Sequence, residues 1–296
     1  MNEVSLNIGT AGWSYKDWVP SFYSKAQSKD FDWLTFYAEY FNTVEVNSTY
    51  YSYIKADIIK GWINKVADKK DFLFTVKLHQ DFTHKRIYTK EQAVFFEYNL
   101  DLLRRAERFG GLLMQFPYSF GFTSSNMEYL NKLFEIFDGY TKCLEVRHST
   151  WNNKEAIQFL KESSVSLCTI DQPKIGSAIA FNTTVTTDTL YVRCHGRNEQ
   201  AWVNSIKNFG NQQTYNEQNE RYKYLYSPGE LIDIERQIRE VYDKIKQVFI
   251  IMNNHPFGYA VANAFELMYL LKERIKINIP EITVKTFTRL AKIAAN

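Results

Sequence analysis

Ionisable side chains recur at the ends of short, β-rich segments of this sequence, at Glu45, Lys77, Glu145, Arg147 and His195. Carboxylates, a histidine and fixed cations in one site can carry general acid–base catalysis and stabilise an anionic transition state. We therefore predict that these five residues are catalytic. Glu145 is the predicted general base, positioned by Arg147. His195 is the predicted acid for the leaving group, and Lys77 together with Arg193 is predicted to stabilise negative charge in the transition state.

A second set of polar and aromatic residues stands at or just beyond the same segment ends. Arginine and amide groups in this set suit phosphate or carboxylate oxygens, and the rings suit the flat face of a base or sugar. We predict that these residues bind the substrate. They are Trp13, Tyr15, Asn47, Tyr50, His79, Gln115, Asp171, Arg193, Arg197, Asn253 and Asn254.

The segment GTAGWSYKDW, residues 9–18, follows the first β-rich stretch and carries three large rings. Gly9 and Gly12 allow a tight turn there and a close approach of the backbone. We expect Trp13, Tyr15 and Trp18 to wall a pocket at this end of the fold.

Eight β-rich segments alternate with amphipathic helical patterns, which is typical of parallel βα units. Their number and the length of 296 residues predict an α/β fold, a (β/α)8 TIM-type barrel, in a single domain spanning 1–296. No helix is predicted in 172–188, so one helix is expected to be missing between strands six and seven. An open doubly wound sheet is the alternative. The eight segments are 6–10, 43–47, 72–79, 112–116, 143–148, 165–171, 190–196 and 248–254.

Two predictions concern the chain after the seventh segment. Residues 198–224, rich in Asn, Gln and Tyr, are predicted to form a long loop of the kind that serves as a lid or binding loop. Pro228 is predicted to stand in the first turn of the helix that follows, because proline suits that position.

Side chains of a strand alternate between its two faces, so Val44 and Val46 point away from Glu45 and Asn47. The apolar set is expected to face the helices and the charged set the barrel axis. Chemistry in such barrels takes place at the carboxyl ends of the strands, where these charges gather. The alternative is a buried ion-pair network with a purely structural role.

The charge balance, 36 Lys and Arg against 33 Asp and Glu, excludes a general nucleic-acid coat, so any anion site must be local. No apolar run approaches the roughly 18 residues of a membrane span. The three cysteines have no CxxC spacing, and the N-terminus lacks the features of a signal peptide. We therefore expect a cytoplasmic protein without a membrane partner.

Seven ordered motifs carry a resemblance that spans almost the whole chain. At these motifs the sequence resembles the YecE-like proteins, also known as domain of unknown function 72. The resemblance implies a TIM-type barrel, and it implies no particular catalytic residues. The motifs are IGTAGWSYKDW, FNTVEVNSTYY, FTVKLHQDFTH, LLMQFP, LEVRHSTW, YVRCHGR and MNNHPFGYAVANA.

These observations favour an enzyme that acts on a phosphate-containing substrate, and in particular a hydrolase of nucleotide or nucleic-acid phosphodiesters. P-loop and dinucleotide-binding motifs are absent from the sequence. One alternative is a sugar or sugar-acid isomerase or lyase, and another is a non-catalytic nucleotide-binding or nucleic-acid-binding module. A divalent metal held by Glu45, Glu145, Asp171 and His195 is an option that we do not favour, because cations already stand at the same level.

Overall fold

Eight parallel strands close into a barrel in the computed structural model, which describes residues 4–176, 178–207, 214, 217 and 219–295. Each strand pairs with the next along the chain, and the eighth pairs with the first. The prediction of a (β/α)8 barrel is confirmed. The strands are β1 (Ser5–Ala11), β2 (Thr43–Val46), β3 (Leu73–Lys77), β4 (Phe109–Gln115), β5 (Lys142–Glu145), β6 (Val165–Asp171), β7 (Thr189–Cys194) and β8 (Gln247–Met252).

The helices on the outside of the barrel begin where the sequence provides caps. Thr89 and Gln92 form a capping box at the start of α4, and Ser227 and Glu230 form one at the start of α8. Pro228 stands in the first turn of α8, as predicted. The helices are α1 (Trp33–Ala38), α2 (Ser48–Tyr51), α3 (Ala56–Lys65), α4 (Lys90–Arg105), α5 (Ser124–Ile136), α6 (Lys154–Glu162), α7 (Glu199–Lys207), α8 (Pro228–Arg239), α9 (Tyr259–Leu271) and α10 (Glu281–Thr286).

Three helical segments differ from or sharpen the sequence-based expectation. No helix occurs between β6 and β7 among the residues described there, so the expected gap is confirmed. The segment 198–224 is not wholly a loop, since its described part contains α7 and a 3-10 turn, Glu220–Tyr222. Helix α6 is not predicted, although Ala156 and Leu160 stand one helical turn apart in the sequence and both are buried.

None of the helices in the described ranges is long and apolar enough to cross a membrane.

Contacts across the barrel show which strand faces point inward. Arg193 on β7 binds Glu45 on β2 and Glu145 on β5, and these strands are not neighbours in the sheet. Such contacts can be made only through the barrel interior. The predicted alternation is therefore confirmed at these positions, with the charged side chains inside and residues such as Val44 packed against the helices.

Candidate active site at the carboxyl ends of the strands

Five ionisable side chains meet at the carboxyl end of the barrel, and we call them the mouth cluster: Glu45, Lys77, Glu145, Arg147 and Arg193. Arg193 donates from Nη2 to Glu45 Oε1 at 2.6 Å and from Nη1 to Glu145 Oε2. Arg147 donates from Nε and Nη2 to Glu145 Oε1, at 2.9 and 2.6 Å. Catalytic candidates that lie far apart in the sequence are thus brought together.

The two carboxylates form the floor of this cluster. Glu45 is fully buried and accepts hydrogen bonds from Arg193 and from the Tyr191 hydroxyl. Glu145 is also fully buried. Although burial opposes its ionisation, Arg193 and Arg147 hold the pKa of Glu145 well below its usual range. Both oxygens of each carboxylate already have protein donors, so Glu145 is an anion with little tendency to take a proton.

Lys77 differs from the two arginines because it forms no ion pair with a described carboxylate. Its Nζ lies 4.0 Å from the centre of the Tyr50 ring, which is a cation–π contact. Burial, and next the positive charge of Arg193, lower the pKa of Lys77 to about 7. A substantial share of this amine is therefore neutral at physiological pH.

Two histidines beside the cluster are held in the neutral form. Burial lowers the pKa of His195 to about 3, and burial together with Lys77 and Arg147 lowers the pKa of His84 to about 4. Asn253 Nδ2 lies 2.8 Å from His195 Nδ1, and if this amide donates, the imidazole proton sits on Nε2. His195 Nε2 then points toward Glu145 Oε1, 3.7 Å away.

Buried polar atoms without a hydrogen-bond partner among the described residues concentrate at this end of the barrel. Of the 14 such side-chain atoms, seven lie at or beyond the carboxyl ends of β2, β6, β7 and β8, or in α7. Buried polar groups in native proteins nearly always have a partner, from protein, water or ligand. Half of the unpartnered buried polar atoms of the described residues therefore lie at this end of the barrel. The seven atoms belong to Asn47, Gln172, Arg193, His195, Trp202, Asn254 and His255.

Helix α7 and the turn Glu220–Tyr222 lie against the cluster, and we call them the cover segment. The Trp202 ring lies 5.5 Å from the Arg147 guanidinium and 5.4 Å from that of Arg221. The Tyr222 ring lies 6.1 Å from His195. The predicted lid role of this region is consistent with these contacts, and it places aromatic surface over the cations.

A second polar group, which we call the anchor cluster, consists of Asp171, Arg197, Tyr226 and Glu230. Arg197 donates to both oxygens of Asp171 and to Glu230 Oε1, and the Tyr226 hydroxyl donates to Asp171 Oδ2 at 2.5 Å. The backbone N–H of Gly196 donates to the same hydroxyl. These bonds fix the start of the cover segment to β6 and to the first turn of α8.

The comparisons with known proteins agree with this architecture. The family model described as "Protein of unknown function DUF72" matches residues 7–284. The chain belongs to the DUF72 family.

Relatives of this DUF72 protein are found in several bacteria. UPF0759 protein YunF of Bacillus subtilis (strain 168) is 27% identical over 278 residues, covering 90% of this chain and 94% of the relative. A DUF72 family crystal structure from Thermotoga maritima MSB8 is 29% identical with a TM-score of 0.75, and it covers 90% of this chain and 99% of that chain.

A DUF72 family structure from Enterococcus faecalis V583 has a TM-score of 0.77 at 24% identity, covering 90% of this chain and 95% of that chain. At that identity the likeness shows the fold alone.

The predicted substrate-binding residues divide between several environments in the DUF72 protein. Arg193 belongs to the mouth cluster, Tyr50 contacts its Lys77, and Asn253 bonds His195 beside it, whereas Asp171 and Arg197 belong to the anchor cluster. Asn47 precedes α2, and its side-chain oxygen has no partner among the described residues. Asn254 donates to the Tyr224 carbonyl and to Asn263, and so holds the chain beyond the cover segment. Their roles in binding a substrate stay predictions.

His79 and Gln115 make local bonds of their own. His79 is buried, stacks on Tyr53 at 4.1 Å between ring centres, and accepts from the backbone N–H of Asp81. Gln115 Nε2 donates to the Phe116 carbonyl at 3.1 Å. Neither contact joins the mouth cluster.

The aromatic loop after β1 packs more tightly than the sequence suggests. Trp18 is fully buried and donates from Nε1 to the His255 carbonyl, so it does not wall a pocket. Trp13 meets Trp62 of α3 edge to face, and Tyr15 stacks on the His255 ring at 4.5 Å. Gly12 takes a φ of +82°, which confirms the expected turn.

Sequence reasoning left four residues of this site out of its candidate set. His84 lies in a π-helical turn, Asp81–Lys85, a feature that often marks functional sites. Tyr191 is one inward position before Arg193, so strand alternation could have found it. Trp202 and Tyr222 lie in 198–224, the segment predicted to be a lid or binding loop, and its aromatic content was the available signal.

The four residues considered as metal ligands do not gather around one point. Glu45 and Glu145 are occupied by arginines, and Asp171 belongs to the anchor cluster. Within the described ranges no group of three or more His, Cys, Asp or Glu side chains could hold a metal ion.

Proposed function

We propose that this protein is an enzyme that binds a phosphate-bearing substrate at the mouth of the barrel and cleaves a phosphodiester, in a nucleotide or nucleic-acid fragment. One observation carries the proposal. Three cations of the mouth cluster face two carboxylates, and Lys77 is the one that pairs with no carboxylate in the part of the chain that the structure describes. Leaving a partly buried cation uncompensated is costly, and an anionic ligand offsets that cost.

Arg147 is the second group proposed to hold the anion. Its guanidinium binds Glu145 through Nε and Nη2, which leaves Nη1 for a phosphate oxygen. Its side chain is 13% exposed, whereas that of Arg193 is only 3% exposed. We therefore assign anion binding to Lys77 and Arg147, and assign to Arg193 the task of holding the two carboxylates in place.

Proton transfer is proposed to depend on His84. A general base must be able to accept a proton, and His84 is neutral while Glu145 is saturated by two guanidinium groups. His84 and the Lys77 amine both contact the Tyr50 ring, so His84 lies close to the proposed phosphate. Glu145 then acts as a positioning residue for Arg147, which replaces the base role first predicted for it.

Binding is tested by calorimetric titration with inorganic phosphate and with nucleoside monophosphates. We expect Lys77→Met to weaken affinity at least about tenfold, the loss of one charge-assisted contact. Lys85→Met is the matched control, because Lys85 lies near the mouth but is already paired with Asp81. Equal affinity in the Lys77 and Lys85 variants would refute the anion site.

Turnover is tested with bis(4-nitrophenyl) phosphate and short oligonucleotides. We expect His84→Asn to lower kcat by roughly 10²- to 10⁴-fold with little change in KM, as for loss of a general base. Glu145→Gln should chiefly raise KM, because Arg147 loses its partner. A fall in kcat at constant KM in Glu145→Gln would restore Glu145 as the base.

We also propose a cytoplasmic location, which the three free, buried cysteines support.

A further inference from the structure

We propose that Lys77 is a nucleophilic amine that forms an imine with the carbonyl group of an aldehyde or ketone bound at the mouth. The inference rests on the proposed function in one respect, since the bound compound is taken to carry a phosphate as well. It goes beyond phosphodiester cleavage, because the substrate it implies is a phosphate ester that also carries a carbonyl group, such as an open-chain sugar phosphate. In that complex Arg147 holds the phosphate and Lys77 attacks the carbonyl carbon.

The geometry around Lys77 favours a free amine. A lysine held by a carboxylate stays protonated, and none of the described carboxylates pairs with this one. The side chain emerges at the carboxyl end of β3, and its Nζ rests on the Tyr50 ring from the chain after β2. An aromatic face under the amine removes water from one side without offering a proton acceptor.

Charged groups face Lys77 from every neighbouring element that the described residues provide. Arg193 on β7 and Arg147 after β5 oppose its protonation, whereas Glu145 and Glu45 favour it from greater depth. The neutral His84 lies on the turn after β3. The balance, dominated by burial and then by Arg193, lowers the pKa of Lys77 to about 7. Desolvation and cationic neighbours are established ways of activating a lysine nucleophile.

The chemical step needs no oxidant, reductant or metal. The lone pair of the neutral amine attacks the carbonyl carbon, a C–N bond forms, and the carbonyl oxygen leaves as water with the two amine protons. The resulting imine, once protonated, draws electrons from the adjacent carbon and so acidifies its C–H bond. Neutral His84 can accept a proton at that stage, which fits the lyase alternative drawn from the sequence.

The experiment uses pyridoxal 5′-phosphate, which carries both an aldehyde and a phosphate, followed by sodium borohydride to fix the imine as a secondary amine. Peptide mapping by mass spectrometry locates the label. At pH 7.5 an exposed lysine is about 0.1% neutral, whereas an amine of pKa about 7 is mostly neutral. We expect Lys77 to label roughly 10²-fold faster than exposed lysines, with a midpoint near pH 7.

Three comparisons complete the test. Lys77→Arg keeps the charge and should lose the dominant label, while Lys85→Met should keep it. Label spread over exposed lysines in the native protein, with no excess on Lys77, would overturn the inference even if a variant failed to fold. Inorganic phosphate should protect Lys77 from the reagent.

The two proposals can fail separately. If pyridoxal without its phosphate labels Lys77 equally fast and inorganic phosphate gives no protection, the imine stands and the anion site falls. If inorganic phosphate binds by calorimetry but Lys77 stays unlabelled, the anion site stands and the imine falls.

Discussion

The mouth cluster and the anchor cluster use the same residue types in opposite ways. In the anchor cluster one arginine, Arg197, serves two carboxylates, and tyrosine hydroxyls and backbone N–H groups supply the remaining donors. In the mouth cluster two arginines bind the two carboxylates, and a third cation, Lys77, has no acidic partner among the described residues. A closed set of partners indicates a structural role, and an unmatched cation indicates a place for a ligand.

Substitution of Arg193 should cause the largest loss of stability. The size of that loss measures how far the mouth cluster supports the fold. Arg193→Met leaves Glu45 and Glu145 buried without their shared cation, which should lower the free energy of unfolding by about 3–5 kcal/mol. Urea denaturation measures the loss. Arg236→Met, on an exposed arginine, is the control and should change stability by less than about 0.5 kcal/mol. A loss that small in Arg193→Met would mean that the cluster does not support the fold.

The next effect concerns the anchor cluster. Asp171→Asn removes the charge that binds Arg197 and the acceptor of the Tyr226 hydroxyl, and should lower the free energy of unfolding by about 2–3 kcal/mol. Phosphate affinity should stay within about twofold of the native value once the variant is folded, because the anchor has no free cation. A large loss of affinity without a loss of stability would move Asp171 into the binding site.

Unlike the two substitutions above, Lys77→Met should raise the free energy of unfolding, by about 2 kcal/mol at pH 6. Because the pKa of Lys77 is lowered to about 7 in the folded state, the unfolded chain binds more protons between about pH 7 and 10. The native protein therefore gains stability from this group as pH rises through that range, and the advantage of the variant should shrink toward pH 10. Thermal unfolding across pH measures this, and a destabilised variant at pH 6 would contradict it.

The smallest effect is expected at Tyr50. Its ring favours the charged form of Lys77 by the cation–π contact, so Tyr50→Leu should lower the pKa of Lys77 by a few tenths of a unit. An NMR titration of the lysine side-chain carbons measures the shift. A rise in that pKa would show that the ring chiefly excludes water rather than attracting the ammonium.

The sequence by itself determined the barrel and the end at which its polar residues gather. Strand alternation around Glu45, Glu145 and Arg193 and the capping signals near Pro228 are local patterns, set by backbone geometry and by hydrogen bonds within a few residues. Local signals of this kind also revealed the gap in 172–188. The helical pattern was overlooked at α6, where Ala156 and Leu160 stand one turn apart, and at α7, which lies in a polar segment rich in Asn and Gln.

Only the tertiary structure decided which charges pair. Arg193 meets Glu45 across 148 residues of sequence, and that contact depends on barrel radius and side-chain rotamers that no local pattern contains. Closure of the barrel also brought Asp171 and Arg197 together, buried Trp18, and left Lys77 without a carboxylate among the described residues. An ion pair forms only when two side chains come within a few ångströms of each other in three dimensions. Residue types and spacing can therefore predict that charges gather at one end of the barrel, but they do not determine which charge is left without an oppositely charged partner.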